Sequence, residues 1–197
     1  IFSQELRFKD EDCKDFPDWE EKKVEDVGEL LNGLTYSPSN ITDDGVLVLR
    51  SSNVKNSKLV FEDNVYVDVE SYNPVKENDI LICVRNGSKR LIGKNALVNE
   101  SVEGSAFGAF MSVYRSNYNS FLFYWFNSDY YKKGVHQNLG ATINSINNSD
   151  LKKFKIPFPS IKEQNKIASF LSIIDKKIEL VDFQLERNKE FKKGLLQ

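Results

Sequence analysis

The C-terminal stretch 154–197 carries an apolar repeat too long for one compact domain to cover. Seven of its residues are spaced 4, 3, 4, 3, 4 and 3 positions apart: Ile167, Leu171, Ile174, Ile178, Val181, Leu185 and Asn188. This spacing is typical of a coiled coil, in which one helix buries such a repeat against another. A helix from Glu163 to Leu196 would be roughly 50 Å long, at about 1.5 Å per residue. The repeat therefore predicts a partner helix.

An alternative is that the helix packs on its own domain, as most amphipathic terminal helices do through one face. The repeat continues for three heptads, which is more than such packing needs. Asn188 falls on the repeat, where a polar residue typically fixes the register or orientation of two helices. Docking of helix on helix is therefore favoured, with all seven residues as the predicted interface.

Composition indicates one domain of ordinary size plus an appendage. The chain has 197 residues, of which 40% are hydrophobic and 12% aromatic. No apolar run approaches the roughly 20 residues that span a bilayer. The first 15 residues lack the basic start and apolar run of a secretory signal, so a cytoplasmic location is expected. Cys13 and Cys83 are predicted to be an exposed thiol and a buried one, without a disulfide.

Charge is segregated along the chain, although the net charge is only −2. Residues 1–29 hold 11 acids and 5 bases, whereas the segment 85–94 holds four bases and no acid. The segment 132–162 holds six lysines against Asp150 alone. Local basic segments favour binding of a polyanion more than the net charge suggests.

The fold class predicted is α+β. We expect a mixed globular domain with a small twisted β-sheet and helices, followed by the long coiled-coil-type helix. Apolar and alternating runs predict strands at 45–50, 58–70 and 79–85, a strand pair within 96–115, and a strand before the prolines of 155–159. Helical spacing predicts a short helix, or a strand and a helix, over 19–33 and one buried helix over 120–138. The predicted boundaries are 1–18 for a polar N-terminal segment, 19–158 for the domain and 159–197 for the long helix.

Several kinds of catalytic or metal site are excluded by the residues present. His136 is the single histidine and the two cysteines are far apart, so a histidine-rich or four-ligand zinc site cannot form. Neither a G-x-S-x-G nucleophile motif nor a glycine-rich phosphate loop is present. Glu20-Glu21-Lys22 has an E-x-K spacing found in some nucleases, but Asp18 lies too close before it for the usual metal-binding hairpin. We predict no catalytic residue, no metal and no cofactor.

Three polar loops are the better candidates, as nucleic-acid contacts. RSSNVKNSK (50–58) and VRNGSKRLIGK (84–94) each follow a predicted strand, and GATINSINNSD (140–150) is rich in asparagine. Arginine and lysine suit guanine edges and phosphates, and asparagine suits adenine. Polar loops after strands are also common without any ligand, so the hypothesis depends on all three together. The predicted DNA-binding residues are Arg50, Ser51, Asn53, Lys55, Arg85, Asn86, Ser88, Lys89, Arg90, Lys94 and Thr142.

Together these motifs resemble one repeat unit of the specificity subunit of type I restriction-modification enzymes. The resemblance runs through WEEKKVEDVGELLNG, VLRSSNV, NDILICVRNGSKRLIGK and LGATINSINNSDLKKFKIPFPSIKEQNKIASFLSIIDKKIE. Its most specific part extends from Gly140 through Ile-Pro-Phe-Pro to Glu163-Gln164, Ile167 and Asp175. It covers nearly the whole chain, from about residue 5 to the end.

The resemblance implies sequence-specific binding of double-stranded DNA without catalysis. In this family a target recognition domain reads one part of a bipartite site, and separate methyltransferase and restriction subunits carry out the chemistry. The paired helices act as a spacer between the two half-sites. The family's usual subunit has two such units, whereas this chain has one. It therefore resembles the second half of a subunit or a half-sized subunit, with a second copy or the other half as its partner through the helix.

Two alternatives from other classes remain open at this point. The first is an enzyme, a compact methyltransferase or nuclease that uses unrecognised acids. The second is a protein-interaction scaffold with no DNA role, or an inhibitor of a restriction complex. Salt-dependent DNA binding is expected of the specificity subunit and not of the scaffold.

Overall fold

The structure is a computed structural model that describes residues 1–139 and 144–196. Over these residues the strands are β1 Glu20–Lys23, β2 Glu29–Asn32, β3 Ile41–Thr42, β4 Val46–Leu49, β5 Val54–Lys55, β6 Lys58–Leu59, β7 Tyr66–Val67, β8 Ile80–Cys83, β9 Asn95–Leu97, β10 Ala106–Phe107, β11 Met111–Arg115 and β12 Lys155–Phe158. The helices are α1 Val24–Val27, α2 Asn119–Phe126, α3 Asp129–Gln137, α4 Asn148–Leu151 and α5 Ile161–Leu195. The predicted α+β class is confirmed.

The central sheet has the order β2-β11-β8-β9, with every neighbouring pair antiparallel. Strand β8 is buried along its whole length, which explains why its sequence is continuously apolar. Ile80 and Ile82 point into one hydrophobic cluster, while Leu81 and Cys83 point into another. Successive side chains of a strand face opposite sides, so β8 joins the two halves of the core.

A second sheet, in the order β10-β4-β7-β3, carries the polar loop that follows β4. The alternating run 58–70 was predicted as one strand, which is wrong. It forms only the two-residue strands β6 and β7. In the segment 60–65 between these two strands, Asn53 Nδ2 donates to Val60 O at 3.0 Å and to Asn64 Oδ1 at 3.1 Å. A side chain there provides hydrogen bonds that a neighbouring strand would otherwise provide.

The aromatic stretch 120–138 forms two helices, α2 and α3, and not the single helix predicted. The break falls at Asn127 and Ser128. Ser128 Oγ accepts a hydrogen bond from Tyr131 N at 3.3 Å and so caps α3, while Asn127 Nδ2 donates to Phe123 O at 2.8 Å and closes α2. A serine in this capping position starts a new helix even within an apolar stretch.

Strands β1 and β12 pair antiparallel, which places the start of α5 beside the N-terminal segment. Glu163, in the first turn of α5, is fully buried. It accepts hydrogen bonds from Arg7 Nε at 3.2 Å, Arg7 Nη2 at 2.9 Å and Trp19 Nε1 at 2.9 Å. We call these three residues the N-terminal clip, because they tie residues 1–19 to the helix.

The long helix is observed where it was predicted, but its repeat is divided between two environments. Ile167 is 0% exposed and packs in the domain core, which corrects its assignment to an interhelical interface. Leu171 is partly buried against the same core. The remaining repeat residues are exposed: Ile174, Ile178, Val181, Leu185 and Asn188. The first three turns therefore anchor α5, and only the later turns present an uncovered apolar repeat.

Within the described residues, no helix is both long and apolar enough to cross a membrane.

Candidate nucleic-acid interface

Three polar loops, which follow β4, follow β8 and precede α4, meet on one side of the domain. Asn86 Nδ2, in the loop after β8, donates a hydrogen bond to Ser51 Oγ, 2.8 Å away in the loop after β4. The backbone N–H of Asn86 donates to Asn144 O at 3.1 Å, and Asn144 Nδ2 donates to Gly87 O at 2.8 Å. Loops that lie far apart in the sequence are therefore joined directly. We call loops 50–53, 85–90 and 144–148, together with the turn 108–110, the polar face.

Arg85, Lys89 and Arg90 supply positive charge to this face. All three are exposed, and none forms an ion pair with any residue in 1–139 or 144–196. Ser88 N donates to Asn86 Oδ1 at 3.0 Å, which fixes the turn just before Lys89 and Arg90. Exposed cations without acidic partners are available to bind phosphates.

Lys94 is turned into the domain. Its ammonium donates hydrogen bonds to Ser51 O at 2.6 Å and to Val54 O at 2.9 Å. Burial lowers the pKa of Lys94 below its ordinary value. The prediction that Lys94 approaches DNA is therefore corrected: its charge holds the loop after β4 in place.

Asn53 also has a structural role, which corrects its assignment as a DNA contact. Its side chain is fully buried. Its Oδ1 accepts a hydrogen bond from Arg50 N at 2.9 Å, and its Nδ2 holds the segment 60–64, as described above. Because the Asn53 side chain bonds only to other residues of the domain and is not accessible to solvent, it shapes the loop 50–53 but does not lie on the loop's exposed surface.

Arg50 stays at the polar face, but its charge is already paired. Its Nη2 lies 2.8 Å from Asp63 Oδ2 and also donates to Asp63 O at 3.0 Å. Its buried Nε has no hydrogen-bond partner among the described residues. Arg50 lines a cleft of about 500 Å³ together with Tyr36 and Ser51. It can therefore meet a ligand that enters this cleft.

One predicted DNA-binding residue, Lys55, lies outside the polar face. Lys55 lies on the hairpin β5–β6, which Lys58 ties to α5 through an ion pair with Glu179 at 2.8 Å. Thr142 lies outside the described residues.

The turn Gly108–Phe110, between β10 and β11, is a part of the face that the sequence did not indicate. The Arg85 guanidinium lies 5.5 Å from the centre of the Phe110 ring. The turn separates the 500 Å³ cleft from a second one of about 160 Å³, and Ala109 lines both. The available signal was Gly108 in an otherwise apolar strand region.

The smaller cleft is lined by Asn147 and Asn148 of the third loop and by Asn32, which the sequence did not indicate. Asn148 Nδ2 donates to Asn32 Oδ1 at 2.8 Å, and Ser112 Oγ donates to Asn148 Oδ1 at 2.8 Å. Asn147 lines the same cleft and is exposed. Amide side chains can both donate to and accept from base edges, so this cleft adds to the polar character of the face.

Among the residues that the structure describes, no three His, Cys, Asp or Glu side chains are grouped so that they could hold a metal ion. The two cysteines are free, Cys13 exposed and Cys83 buried, as predicted. Burial raises the pKa of the Cys83 thiol. Its Sγ donates to Ser51 Oγ at 3.5 Å and to Arg85 O at 3.4 Å, which adds to the contacts between two of the loops.

A family model for the type I restriction modification DNA specificity domain matches residues 17–188. The chain belongs to this family. The StySPI specificity subunit of Salmonella potsdam, a type I restriction enzyme subunit, is 28% identical over 180 residues, which are 86% of this chain and 39% of that protein. The EcoKI specificity subunit of Escherichia coli K12 is 30% identical over 167 residues, which are 79% of this chain and 36% of that protein.

The fold is also that of a solved specificity subunit. The S subunit of the type I restriction-modification system from M. genitalium matches 94% of this chain and 45% of its own, with a TM-score of 0.64 and 22% identity. The chain therefore spans less than half the length of each of these three relatives.

Proposed function

We propose that this chain is one half of a type I specificity subunit and reads one part of a bipartite double-stranded DNA target. Residues 19–158 form its target recognition domain, and the segment 159–197 is the spacer and docking helix. The observation that carries this proposal is the junction of three polar loops on one face. Asn86 bonds to both of the other loops, so the contacts to DNA would form on a single, fixed surface.

The charges of this face support DNA as the ligand. Arg85, Lys89 and Arg90 are exposed and lie within six residues of each other, whereas most of the excess acid lies in residues 1–29. Lysine and arginine contacts to phosphate supply affinity and make it depend on salt. Asparagine and serine side chains on the same face supply donors and acceptors for base edges.

Recognition and catalysis would lie on different subunits. The chain supplies recognition, while a methyltransferase subunit and a restriction subunit dock on it and carry out methylation and cleavage. The family's members are specificity subunits, which agrees with a role in recognition. The chain itself would then need no cofactor.

The exposed turns of α5 would dock on an equivalent helix, from a second copy or from the other half of the subunit. Ile178 and Val181 are 53% and 55% exposed, as expected of apolar residues that become buried only when a second helix docks. Replacing both Ile174 and Ile178 by Asp should abolish self-association, because two charges would enter the interface. An unchanged mass in analytical ultracentrifugation would contradict this part of the proposal.

Binding to DNA is tested by reversing two charges on the face. In the assembled methylation complex, Lys89→Glu/Arg90→Glu should bind cognate DNA at least tenfold more weakly at moderate salt, because two phosphate contacts are lost and two negative charges are added. Each lost phosphate contact should also make the affinity less dependent on salt. Lys132→Glu/Lys133→Glu is the matched control, because these adjacent exposed lysines lie on α3, outside both the polar face and the docking helix. Fluorescence anisotropy over a salt series gives both affinity and slope.

Intact binding by Lys89→Glu/Arg90→Glu would contradict the assignment of the face. Wild-type complex that binds no DNA would favour a scaffold or inhibitor instead. Methyl-donor binding or metal-dependent cleavage by the purified chain alone would favour an enzyme.

A further inference from the structure

Phe110 is an exposed aromatic ring on a turn that the backbone holds firmly. The ring is 55% exposed. The Phe110 carbonyl oxygen accepts hydrogen bonds from the backbone N–H groups of Val84 at 3.0 Å and Arg85 at 3.1 Å. On the other side of the turn, Gly108 N donates to Leu49 O at 2.9 Å. The ring is therefore carried by a turn with a fixed position between the two loops that follow β4 and β8.

Close packing beneath the turn adds to this rigidity. Leu34 forms a parallel bridge with Gly108. A Cβ atom placed on Gly33 would lie only 2.1 Å from Gly108 O, so the two backbones touch with no space for a side chain. A ring carried by such a rigid turn has a fixed position relative to the rest of the polar face, and recognition of a single base requires this.

The turn forms a ridge between the two clefts of the polar face. Arg50 lines the larger cleft, and Arg85 lines the smaller one. The Arg85 guanidinium also lies 5.5 Å from the centre of the Phe110 ring. An exposed apolar ring beside Arg85 does not stabilise the fold as a buried ring would. Its position instead suits contact with a ligand that has both anionic and apolar groups.

The apolar surface of the ring limits which base feature it can recognise. A phenylalanine side chain has no hydrogen-bond donor or acceptor. In the major groove of unmodified DNA, the base edges present donors, acceptors and one apolar group, the C5 methyl of thymine. The other use of an apolar ring, insertion between base pairs, does not depend on this methyl group.

We propose that Phe110 recognises a thymine by packing its ring against the C5 methyl group in the major groove. The inference rests on the proposed function, since it names one base contact of the same DNA-reading face. Arg85, held beside the ring, binds the phosphate or base edge next to that thymine.

The test removes the methyl group from the DNA and the ring from the protein. The target is first defined as the methylated motif of the complex. Each thymine of the half-site, on either strand, is then replaced singly by deoxyuridine, which lacks only the methyl group. Wild-type complex should bind one of these targets about fourfold more weakly, since one buried methyl contact is lost. Phe110→Ala should bind the thymine target more weakly and show no difference at that position.

Two further variants keep the interpretation specific. Phe110→Leu retains apolar surface and should still discriminate at the same position. Tyr130→Ala removes an aromatic side chain that is 63% exposed on α3, and it should leave affinity and discrimination unchanged. Because Phe110 is largely exposed, the melting temperature of Phe110→Ala should stay within about 2 °C of the wild type.

The inference is overturned if wild-type complex binds every deoxyuridine target as tightly as the thymine target. It is also overturned if Phe110→Ala discriminates as the wild type does, if it loses affinity equally for all targets, or if the half-site contains only G·C pairs. In these cases the complex still binds its target, so the proposed function stands. If the wild-type complex shows no sequence preference at all, the proposed function fails and the inference falls with it.

Discussion

Removing Arg7 should destabilise the protein more than removing its partner Glu163. The Glu163 carboxylate is fully buried, while the Arg7 side chain is 23% exposed. Arg7→Ala would leave a buried carboxylate without a counter-charge, which typically costs about 3–5 kcal/mol. Because water can reach the position that Arg7 vacates, we expect the lower end, about 3 kcal/mol of unfolding free energy.

Glu163→Ala should cost about 2 kcal/mol, mostly because the Trp19 indole N–H loses its acceptor. Arg7 keeps other partners, since its Nη2 also donates to Pro17 O at 2.7 Å. The double variant should cost about 3 kcal/mol, less than the two single changes together, since neither charge is then left alone. Lys9→Ala is the control: its ion pair with Asp15, at 3.5 Å, is exposed and should contribute less than about 0.5 kcal/mol.

Urea denaturation followed by far-ultraviolet circular dichroism measures these free energies. The reasoning would be refuted if Arg7→Ala cost less than Glu163→Ala, or if the two changes were additive. Either result would mean that the N-terminal clip does not depend on pairing a buried charge.

Three further outcomes can be checked on purified protein and complex. Ile167→Ala should lower the unfolding free energy by about 2–5 kcal/mol, because the side chain is 0% exposed. Ile173→Ala, at a side chain that is 64% exposed and outside the repeat, should change it by less than about 0.5 kcal/mol; similar values for both would be contradictory. Cys83 should stay unreactive toward a disulfide reagent near neutral pH until urea is added, because burial raises the pKa of its thiol; two reactive thiols in the folded chain would refute this. Lys89→Ala should lower the salt slope of DNA binding by about 0.9, while Lys94→Ala should weaken binding without changing the slope; equal slopes would contradict their different roles.

The elements that the sequence predicted well are those determined by local pattern. The apolar run of 79–85 could be a fully buried strand, and β8 is one. The apolar repeat of 167–188 required a long helix, and α5 extends over 35 residues. Loops that follow strands β4 and β8 were expected to be polar, because the apolar pattern ends there.

The direction of individual polar side chains could not be predicted, because it depends on contacts between distant segments. Asn53 and Lys94 have the residue types expected of DNA contacts, yet each donates hydrogen bonds to backbone carbonyl groups of neighbouring loops. Ile167 belongs to the helical repeat, but the pairing of β1 with β12 brings its turn of α5 against the core. Phe110 was not indicated by the sequence, because its exposed position depends on hydrogen bonds from Val84 N and Arg85 N, in a distant loop, to its carbonyl oxygen.

The proposed DNA-reading role of the polar face is tested most directly by methylome sequencing of cells that hold the methyltransferase subunit. We expect a methylated motif to appear when this chain is present and to be absent without it. Arg85→Glu should remove or change that motif, since the exposed guanidinium lies beside the Phe110 ring and the Arg85 backbone pairs with Ser145 of the third loop. The same motif in cells without the chain, or an unchanged motif with Arg85→Glu, would contradict the assignment of DNA recognition to this face.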